Sequence, residues 1–256
     1  MMKQIFTLAT LVALEALRTR FFALIILWLL IGFGFALFIG QITVIETIAY
    51  QSSLLAAFLR LSAVYIVSLF VITSMVREFQ DNSVYLWLSL PIPRSTYVIG
   101  KFSGFTLVAL FTAILFGATL LLFVSYPQVG LWTLSLLCEL LIMTALSLFL
   151  ALTFHQTVQA FSVVLGFYIL ARSIATLQLI AQGPLNNSQS GINQLINGLI
   201  NWLAMLLPSL DRFSQSEWIV YHTGSIDNLL EVVVQTIIYV ILLIAMSLFD
   251  FYRKNL

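Results

Sequence analysis

Charged side chains are scarce in this sequence of 256 residues. Asp, Glu, Lys and Arg make up 8% of it, apolar residues make up 61%, and the mean hydropathy is +1.07. A soluble globular domain carries about 25% charged residues. A chain with so little polar surface cannot dissolve in water, so lipid must be its solvent. The net charge of +1 also provides no basic surface for nucleic acid.

Cysteine and histidine are nearly absent. Cys138 is the only cysteine, which excludes an intramolecular disulfide and a cysteine-based metal site. His155 and His222 are the only histidines, so a histidine-rich metal site also lacks ligands. The apolar stretches contain no His-Glu-x-x-His, paired-aspartate or Gly-x-Ser-x-Gly pattern, and Gly100-Lys101 lacks the spacing of a phosphate-binding loop. We therefore expect no catalytic residue, no metal, no cofactor bound by this chain and no enzymatic activity.

Long apolar stretches are abundant instead. A helix needs about 20 apolar residues to cross a bilayer, because each residue rises about 1.5 Å. Six stretches meet this length, and no internal repeat stands out. We therefore predict an all-α polytopic membrane protein with one domain over residues 1–256. The predicted spans are Phe21–Gly40, Leu54–Val76, Gly100–Tyr126, Leu131–Thr153, Ala160–Ile180 and Leu230–Phe249.

Lysine and arginine predict the orientation, because they concentrate in cytoplasmic loops. With six spans, most of the basic residues fall on one face, and only Arg212 falls on the other. We therefore expect both termini in the cytoplasm and the protein in the cell inner, or plasma, membrane. The basic residues on the predicted cytoplasmic face are Lys3, Arg18, Arg20, Arg77, Arg94, Lys101, Arg253 and Lys254.

The segment before the first span has a helical pattern of its own. Residues 3–20 carry polar side chains on one side and apolar side chains on the other, at a spacing of 3.6 residues. This pattern predicts an amphipathic helix lying in the cytoplasmic interface of the membrane. The alternative is a plain cytoplasmic extension of the first span.

The extracytoplasmic segment 181–229 contains a further apolar helix, predicted over Ile192–Leu207. It is too short to cross the membrane and return, and it either re-enters the membrane or lies flat on its outer surface. Asn193, Asn197 and Asn201 recur every fourth residue and form one polar stripe. The stripe either forms an external gate or is only the water-facing side of an interfacial helix.

Three ionisable residues lie inside the predicted spans: Arg60, Glu139 and Arg172. A charge in the middle of a bilayer costs about 2.5–3.5 kcal/mol, so it usually faces the protein interior and pairs with another group. We hypothesise that Glu139 pairs with Arg172 or with Arg60 and holds the bundle together. The alternative is that these charges face a substrate path.

The longest cytoplasmic loop, residues 77–99, has the most structured pattern. It opens with mixed charge, continues as a short run rich in aromatic residues, and stops at Pro91 and Pro93. Proline cannot continue a helix, and it restricts the residue before it. Ser95 can then act as the N-cap of the third span. The pattern predicts a short helix across the membrane face, bounded by a rigid corner, with an apolar surface that lipid headgroups or a partner protein must cover.

The residues of this loop resemble those of a known family. Arg77-Glu78-Phe79 is followed by Leu-Ser-x-Pro-x-x-Arg-x-x-Tyr-x-x-Gly-Lys, which ends at Gly100-Lys101. A charged pair leading into that signature is typical of the first cytoplasmic loop of ABC-2 type transporter permeases. Six spans, an amphipathic N-terminal helix and a re-entrant segment before the last span are also familiar in that family. Size and short loops are most similar to the permeases associated with multi-copper enzyme maturation.

The resemblance implies a transporter subunit that does not itself hydrolyse ATP. Two permease chains, as a homodimer, would pack around a path, and two copies of a separate ABC ATPase subunit would bind ATP and Mg and drive export. Residues 78–90 would be the coupling helix that docks on the ATPase. A secondary transporter, a channel and a membrane assembly scaffold remain the alternatives. The coupling residues that the resemblance implies are Arg77, Glu78, Phe79, Asp81, Tyr85, Trp87, Pro91, Pro93 and Arg94.

Overall fold

The structure, a computed structural model, describes residues 2–42, 47–84, 93–181 and 191–253, with side chains except at 181 and 191–196. Within these ranges every regular element is helical. A single 3-10 turn at Leu210–Arg212 lies between the seventh and eighth α-helices. The α-helices are α1 Met2–Arg18, α2 Phe21–Ile42, α3 Thr47–Gln80, α4 Arg94–Leu120, α5 Tyr126–Phe154, α6 Thr157–Ala181, α7 Gly191–Leu206, α8 Ser216–Val220 and α9 Ile226–Arg253.

Helices α2 to α6 and α9 are long and apolar enough to cross a membrane. Among the described residues they match the six predicted spans in number, and they indicate a multi-pass membrane protein. Every predicted span except the third lies inside its helix. These five helices are longer than predicted because the helical backbone continues past the apolar stretch, at one end in α2 and at both ends in the others.

The third span was predicted over Gly100–Tyr126 and is observed as α4, Arg94–Leu120. The late boundary was wrong because residues 121–124 are apolar yet form a turn, in which the Val124 N–H donates to the Leu120 carbonyl at 3.1 Å. Proline lacks the backbone N–H that a helix interior needs, but it is tolerated in the first turn. Pro127 stands in the first turn of α5.

The early boundary of α4 also corrects a prediction. Ser95 was expected to be the N-cap, but Pro93 occupies that position with φ −64° and ψ 142°. The Pro93 carbonyl accepts hydrogen bonds from the backbone N–H groups of Thr96 at 2.9 Å and Tyr97 at 3.4 Å. The fixed φ of the proline ring already matches an extended N-cap conformation, so the helix begins at Arg94, before the serine is reached.

Helix α5 is the centre of the bundle. It packs against α3, α4, α6 and α9, and its large side chains Trp132 and Leu136 are fully buried. Helices α2, α4 and α6 begin at the end of the bundle where α3, α5 and α9 end. We call this end, which carries Arg20, Arg77 and Arg253, the basic end. The other end, which carries α7, the 3-10 turn and α8, is the opposite end.

Helix α1 corresponds to the amphipathic helix predicted over residues 3–20, and it packs along the start of α4. Two glycines of α4 permit this contact. A Cβ at Gly100 would lie 2.7 Å from Leu8, and a Cβ at Gly104 would lie 2.6 Å from Val12. The small-xxx-small spacing therefore brings a short helix against a spanning helix.

Candidate functional site

The loop between α3 and α4 leaves α3 through a sharp turn. Asn82 has a positive φ of 56°, a conformation that asparagine tolerates better than most residues at the end of a helix. The backbone N–H of Asn82 donates to the Phe79 carbonyl at 3.2 Å. Asp81 and Asn82 are exposed, and Val84 is fully buried. The described part of the loop therefore turns back onto the bundle.

A buried ion pair joins the two sides of this loop. Glu78, at the end of α3, accepts a hydrogen bond from the Tyr97 hydroxyl at 2.7 Å and forms an ion pair with Lys101. Tyr97 and Lys101 are 2% and 3% exposed. A lysine buried to this degree requires a charged partner, because an isolated ammonium group loses its hydration. The partners of the Glu78 carboxylate, Tyr97 and Lys101, therefore lie inside the protein.

Arg94 and Phe251 extend this contact to the last helix. The Arg94 Nη1 donates to the backbone carbonyls of Phe251 at 3.1 Å and Tyr252 at 3.4 Å. The Tyr97 ring stacks on the Phe251 ring with centroids 5.7 Å apart. A cation at the last carbonyls of a helix is favourable, because these groups lack partners within the helix. We call Glu78, Arg94, Tyr97, Lys101 and Phe251 the loop-base cluster.

The other predicted coupling residues lie around this cluster or outside the described residues. The Phe79 ring centroid is 4.3 Å from that of His155, at the end of α5. Arg77 is exposed on α3, and Asp81 and Pro93 stand at the turn and the N-cap described above. The structure thus brings Glu78 and Arg94 together in one cluster. Three predicted coupling residues lie outside the described ranges: Tyr85, Trp87 and Pro91.

The three intramembrane charges meet near the middle of the bundle. Glu139, in the centre of α5, is fully buried, and its Oε1 lies 3.4 Å from the Arg172 Nη1. Of the two partners considered from the sequence, Glu139 thus pairs with Arg172. Arg60 donates to the backbone carbonyl of Ser214 at 2.8 Å instead.

These charges bind the loop that follows α7. The Arg172 Nη1 donates to the carbonyls of Leu210 at 2.6 Å and Phe213 at 3.1 Å. The Ser214 hydroxyl donates to Glu139 Oε2 at 2.9 Å. We call Arg60, Glu139, Arg172 and Ser214 the loop clamp. Its contacts hold a loop from the opposite end at the level of the centre of α5.

Ser214 is the residue of the clamp that sequence reasoning missed. It is fully buried and has a positive φ of 47°. Its backbone N–H donates to the Ser135 Oγ at 2.9 Å, and its carbonyl also accepts the Trp132 Nε1–H at 3.2 Å. A signal was present in the sequence: two arginines and one glutamate within the spans leave an excess cation. That cation needs neutral acceptors, and loop carbonyls provide them.

The predicted asparagine stripe of α7 faces the protein in part. Asn197 is half-buried, and the Asn201 Oδ1 accepts a hydrogen bond from Gln178 of α6 at 3.5 Å. The apolar residues Trp202 and Met205, near the end of the same helix, are 65% and 87% exposed. The side chain of Asn193 lies outside the described residues.

The described ranges contain no group of three or more His, Cys, Asp or Glu side chains that could hold a metal ion. Comparison with known proteins adds no assignment: no protein-family model and no curated protein matches this chain. The functional argument therefore rests on the contacts of the loop-base cluster and the loop clamp.

Proposed function

We propose that this chain is the transmembrane subunit of an ABC-2 type exporter, in which separate ATPase subunits bind ATP and Mg and hydrolyse the ATP. The observation that carries the proposal is the loop-base cluster. Four residues of the motif shared with ABC-2 permeases, Glu78, Arg94, Tyr97 and Lys101, are also the residues of that cluster. A loop anchored in this way is suited to transmit force from a bound partner to the helices that it joins.

The contacts suggest a route for such a force. Movement of segment 78–90 would act on α3 and α4 through the ion pair between Glu78 and Lys101. It would reach α9 through Arg94. Helix α9 packs against α5, which carries Glu139 at its centre. Packed helices move as rigid elements, so displacement at the basic end would reach the loop clamp.

The proposal includes an orientation and an assembly. The basic end, with both termini, would face the cytoplasm, because basic residues concentrate there. The exposed side chains of Phe6 and Leu17 on α1 are suited to an interfacial position. Helix α7 and the loop held by the clamp would form the re-entrant element. Two such chains would associate as a homodimer in the inner, or plasma, membrane with two ATPase subunits.

Affinity purification of the full chain from its own host membrane tests the proposal. We expect an ABC ATPase to co-purify with the chain and to show Mg-dependent ATPase activity. Replacing Glu78 with alanine should lower that activity or the amount of bound ATPase. The control is E217Q, which alters an exposed glutamate of α8 at the opposite end.

The outcomes separate the proposal from its alternatives. Loss of the ATPase or of its stimulation in the E78A variant, with E217Q unchanged, supports coupling. A chain that purifies without an ATPase and transports under an ion gradient would be a secondary transporter. A bound ATPase whose activity is the same in E78A and in the unaltered chain would contradict the assigned role of the loop base.

A further inference from the structure

Helices α2 and α3 pack closely from the centre of the bundle toward the opposite end, and a groove lies along them near the basic end. A Cβ at Gly32 of α2 would lie 2.9 Å from the Phe58 ring of α3. Farther toward the opposite end, the Gln51 Nε2 donates to the Ala36 carbonyl at 3.0 Å. Near the basic end, residues of both helices line a groove of about 410 Å³. The groove lies beside an aromatic contact of the two helices, in which the ring centroids of Phe21 and Phe70 are 4.6 Å apart.

The groove is polar at its rim and apolar along its length. Arg20 and Arg77 stand at the rim, and Leu24, Trp28 and Tyr65 line the part nearer the centre of the bundle. Its volume falls within the range of about 300–1,000 Å³ that is usual for sites of small molecules. The arrangement of a polar rim and an apolar wall matches an amphiphile with its head at the membrane surface.

The rim carries two cations that the protein leaves unneutralised. Arg20 and Arg77 are exposed, and in the part of the chain that the structure describes neither makes an ion pair or a side-chain hydrogen bond. Glu15 also lines the rim, but its Oε2 accepts the hydroxyl hydrogen bond of Ser74 at 2.8 Å. The carboxylate keeps its charge, so the two arginines leave the rim with a net charge of +1, which a single anion would balance.

The length of the groove fits one leaflet of a membrane. Tyr65 and Arg77 are twelve residues apart on α3, which corresponds to about 18 Å along a helix. Half of the hydrocarbon core of a bilayer is about 15 Å thick. A lipid with its headgroup at Arg77 would therefore have its acyl chain end close to the level of Tyr65 within the same leaflet.

We propose that this groove binds an anionic phospholipid of the leaflet at the basic end. The phosphate would accept hydrogen bonds from Arg20 and Arg77, and one acyl chain would lie between Leu24, Trp28 and Tyr65. Guanidinium groups suit phosphate because their donors match its oxygens in pairs. The site does not depend on ATPase coupling, because its residues and its ligand are independent of any nucleotide-binding partner.

Photocrosslinking in reconstituted vesicles tests the headgroup contact. The full chain is reconstituted in phosphatidylcholine with a trace of phosphatidylglycerol that carries a photoactivatable acyl chain. We expect labelling of the α2 and α3 segments that line the groove, and we expect it to fall about fivefold for each arginine replaced in R20Q, R77Q and the double variant. The matched control R18Q removes an exposed arginine of α1 that does not line the groove.

Equal labelling by photoactivatable phosphatidylcholine would overturn the proposal, because the groove would then not select an anion. The same fall in R18Q as in R20Q would also overturn it, since the effect would be one of general surface charge.

A second variant tests the acyl contact and keeps both arginines. Leu24→Trp places a larger side chain in the groove, whereas Leu27→Trp alters an exposed position of α2 that does not line it. We expect L24W to reduce the phosphatidylglycerol label and L27W to leave it unchanged. Unchanged labelling in L24W would contradict the assigned path. Disulfide cross-linking of L24C between two chains, with no lipid label, would show that a second copy covers the groove instead.

Discussion

The loop-base cluster and the loop clamp are both buried groups of charged residues, but they bind different partners. At the loop base, one lysine meets one glutamate, and the contact joins two side chains. At the clamp, Arg172 pairs with Glu139, and both Arg172 and Arg60 bind backbone carbonyls of a loop. A side-chain pair fixes two helices relative to each other. A clamp on carbonyls fixes the course of a loop, whatever side chains the loop carries at the bonded residues.

The two clusters also differ in access to solvent. The Glu78 side chain is 17% exposed near the end of the bundle, whereas the Glu139 side chain is fully buried at its centre. Water can reach part of the first carboxylate if its partner is lost, but it cannot reach the second. A lost glutamate should be more costly at the clamp, because Arg172 would stay unpaired at the level of the bundle centre, whereas Lys101 lies near the basic end of α4.

Replacing Glu139 with leucine should have the largest effect. Arg172 would lose its carboxylate and Ser214 its acceptor, so we expect the free energy of unfolding to fall by about 3–5 kcal/mol. Thermal unfolding of the purified chain in detergent measures this. E139Q keeps one of the two acceptor oxygens and should show a smaller loss.

The exchange of the two charges distinguishes a simple pair from a clamp. In the double variant E139R/R172E, the new glutamate would face the carbonyls of Leu210 and Phe213, which it cannot bind as a hydrogen-bond donor. We therefore expect the exchange to leave the protein destabilised. Full recovery of thermal stability would indicate that the contact between positions 139 and 172 is an ordinary ion pair.

Replacing Glu78 with leucine should have the next largest effect, a loss of about 3 kcal/mol, because Lys101 would remain buried without a carboxylate. The double variant E78L/K101M removes both charges and should regain most of the thermal stability. Under the proposed function it should still fail to couple to an ATPase, since the contact across the loop is gone. Normal ATPase stimulation in the stable double variant would separate stability from coupling and contradict that role.

Two substitutions at Ser214 measure the hydroxyl and the backbone strain separately. S214A keeps the positive φ of 47° and loses the hydrogen bond to Glu139, so a loss of about 1–2 kcal/mol is expected. S214G also loses the bond but removes about 1 kcal/mol of strain at that φ. Glycine should therefore be the better tolerated substitution in thermal unfolding. The reverse order would show that the loop backbone is not fixed by the clamp.

The smallest effect is expected for Arg94→Lys at the loop base. Lysine keeps the charge but lacks the planar fork of donors, so the contact with the carbonyls of Phe251 and Tyr252 in the last turn of α9 should weaken by about 0.5–1 kcal/mol. R253K is the matched control, because it makes the same exchange at an exposed arginine of α9. Equal shifts in the two melting temperatures would mean that Arg94 contributes through its charge alone.

Sequence periodicity predicted the helices more accurately than their ends. Hydropathy predicts a span because every residue of a lipid-exposed helix has the same solvent, so a local average is sufficient. The ends of α4 depend on single residues instead. The turn before Pro127 is as apolar as the helix that precedes it, and Pro93 took the N-cap position expected for Ser95. A local average cannot detect either feature.

The candidate sites were predictable in part. The charges Arg60, Glu139 and Arg172 stand out in the sequence because ionisable residues are costly in a membrane. Glu78, Arg94, Tyr97 and Lys101 stand out through a motif. Neither signal identifies the residue that each of these side chains contacts, because the contacting residues lie in different helices, many positions apart along the chain.

The sequence by itself determined that lipid is the solvent of this protein, that its regular structure is helical, and that six helices are long enough to cross a membrane. These properties follow from composition and local hydrophobicity. Only the tertiary structure decided that Glu139 pairs with Arg172 and that Arg60 binds a loop carbonyl. Charge alone permits several pairings, and the packing of α3, α5 and α6 around Ser214 selects one of them.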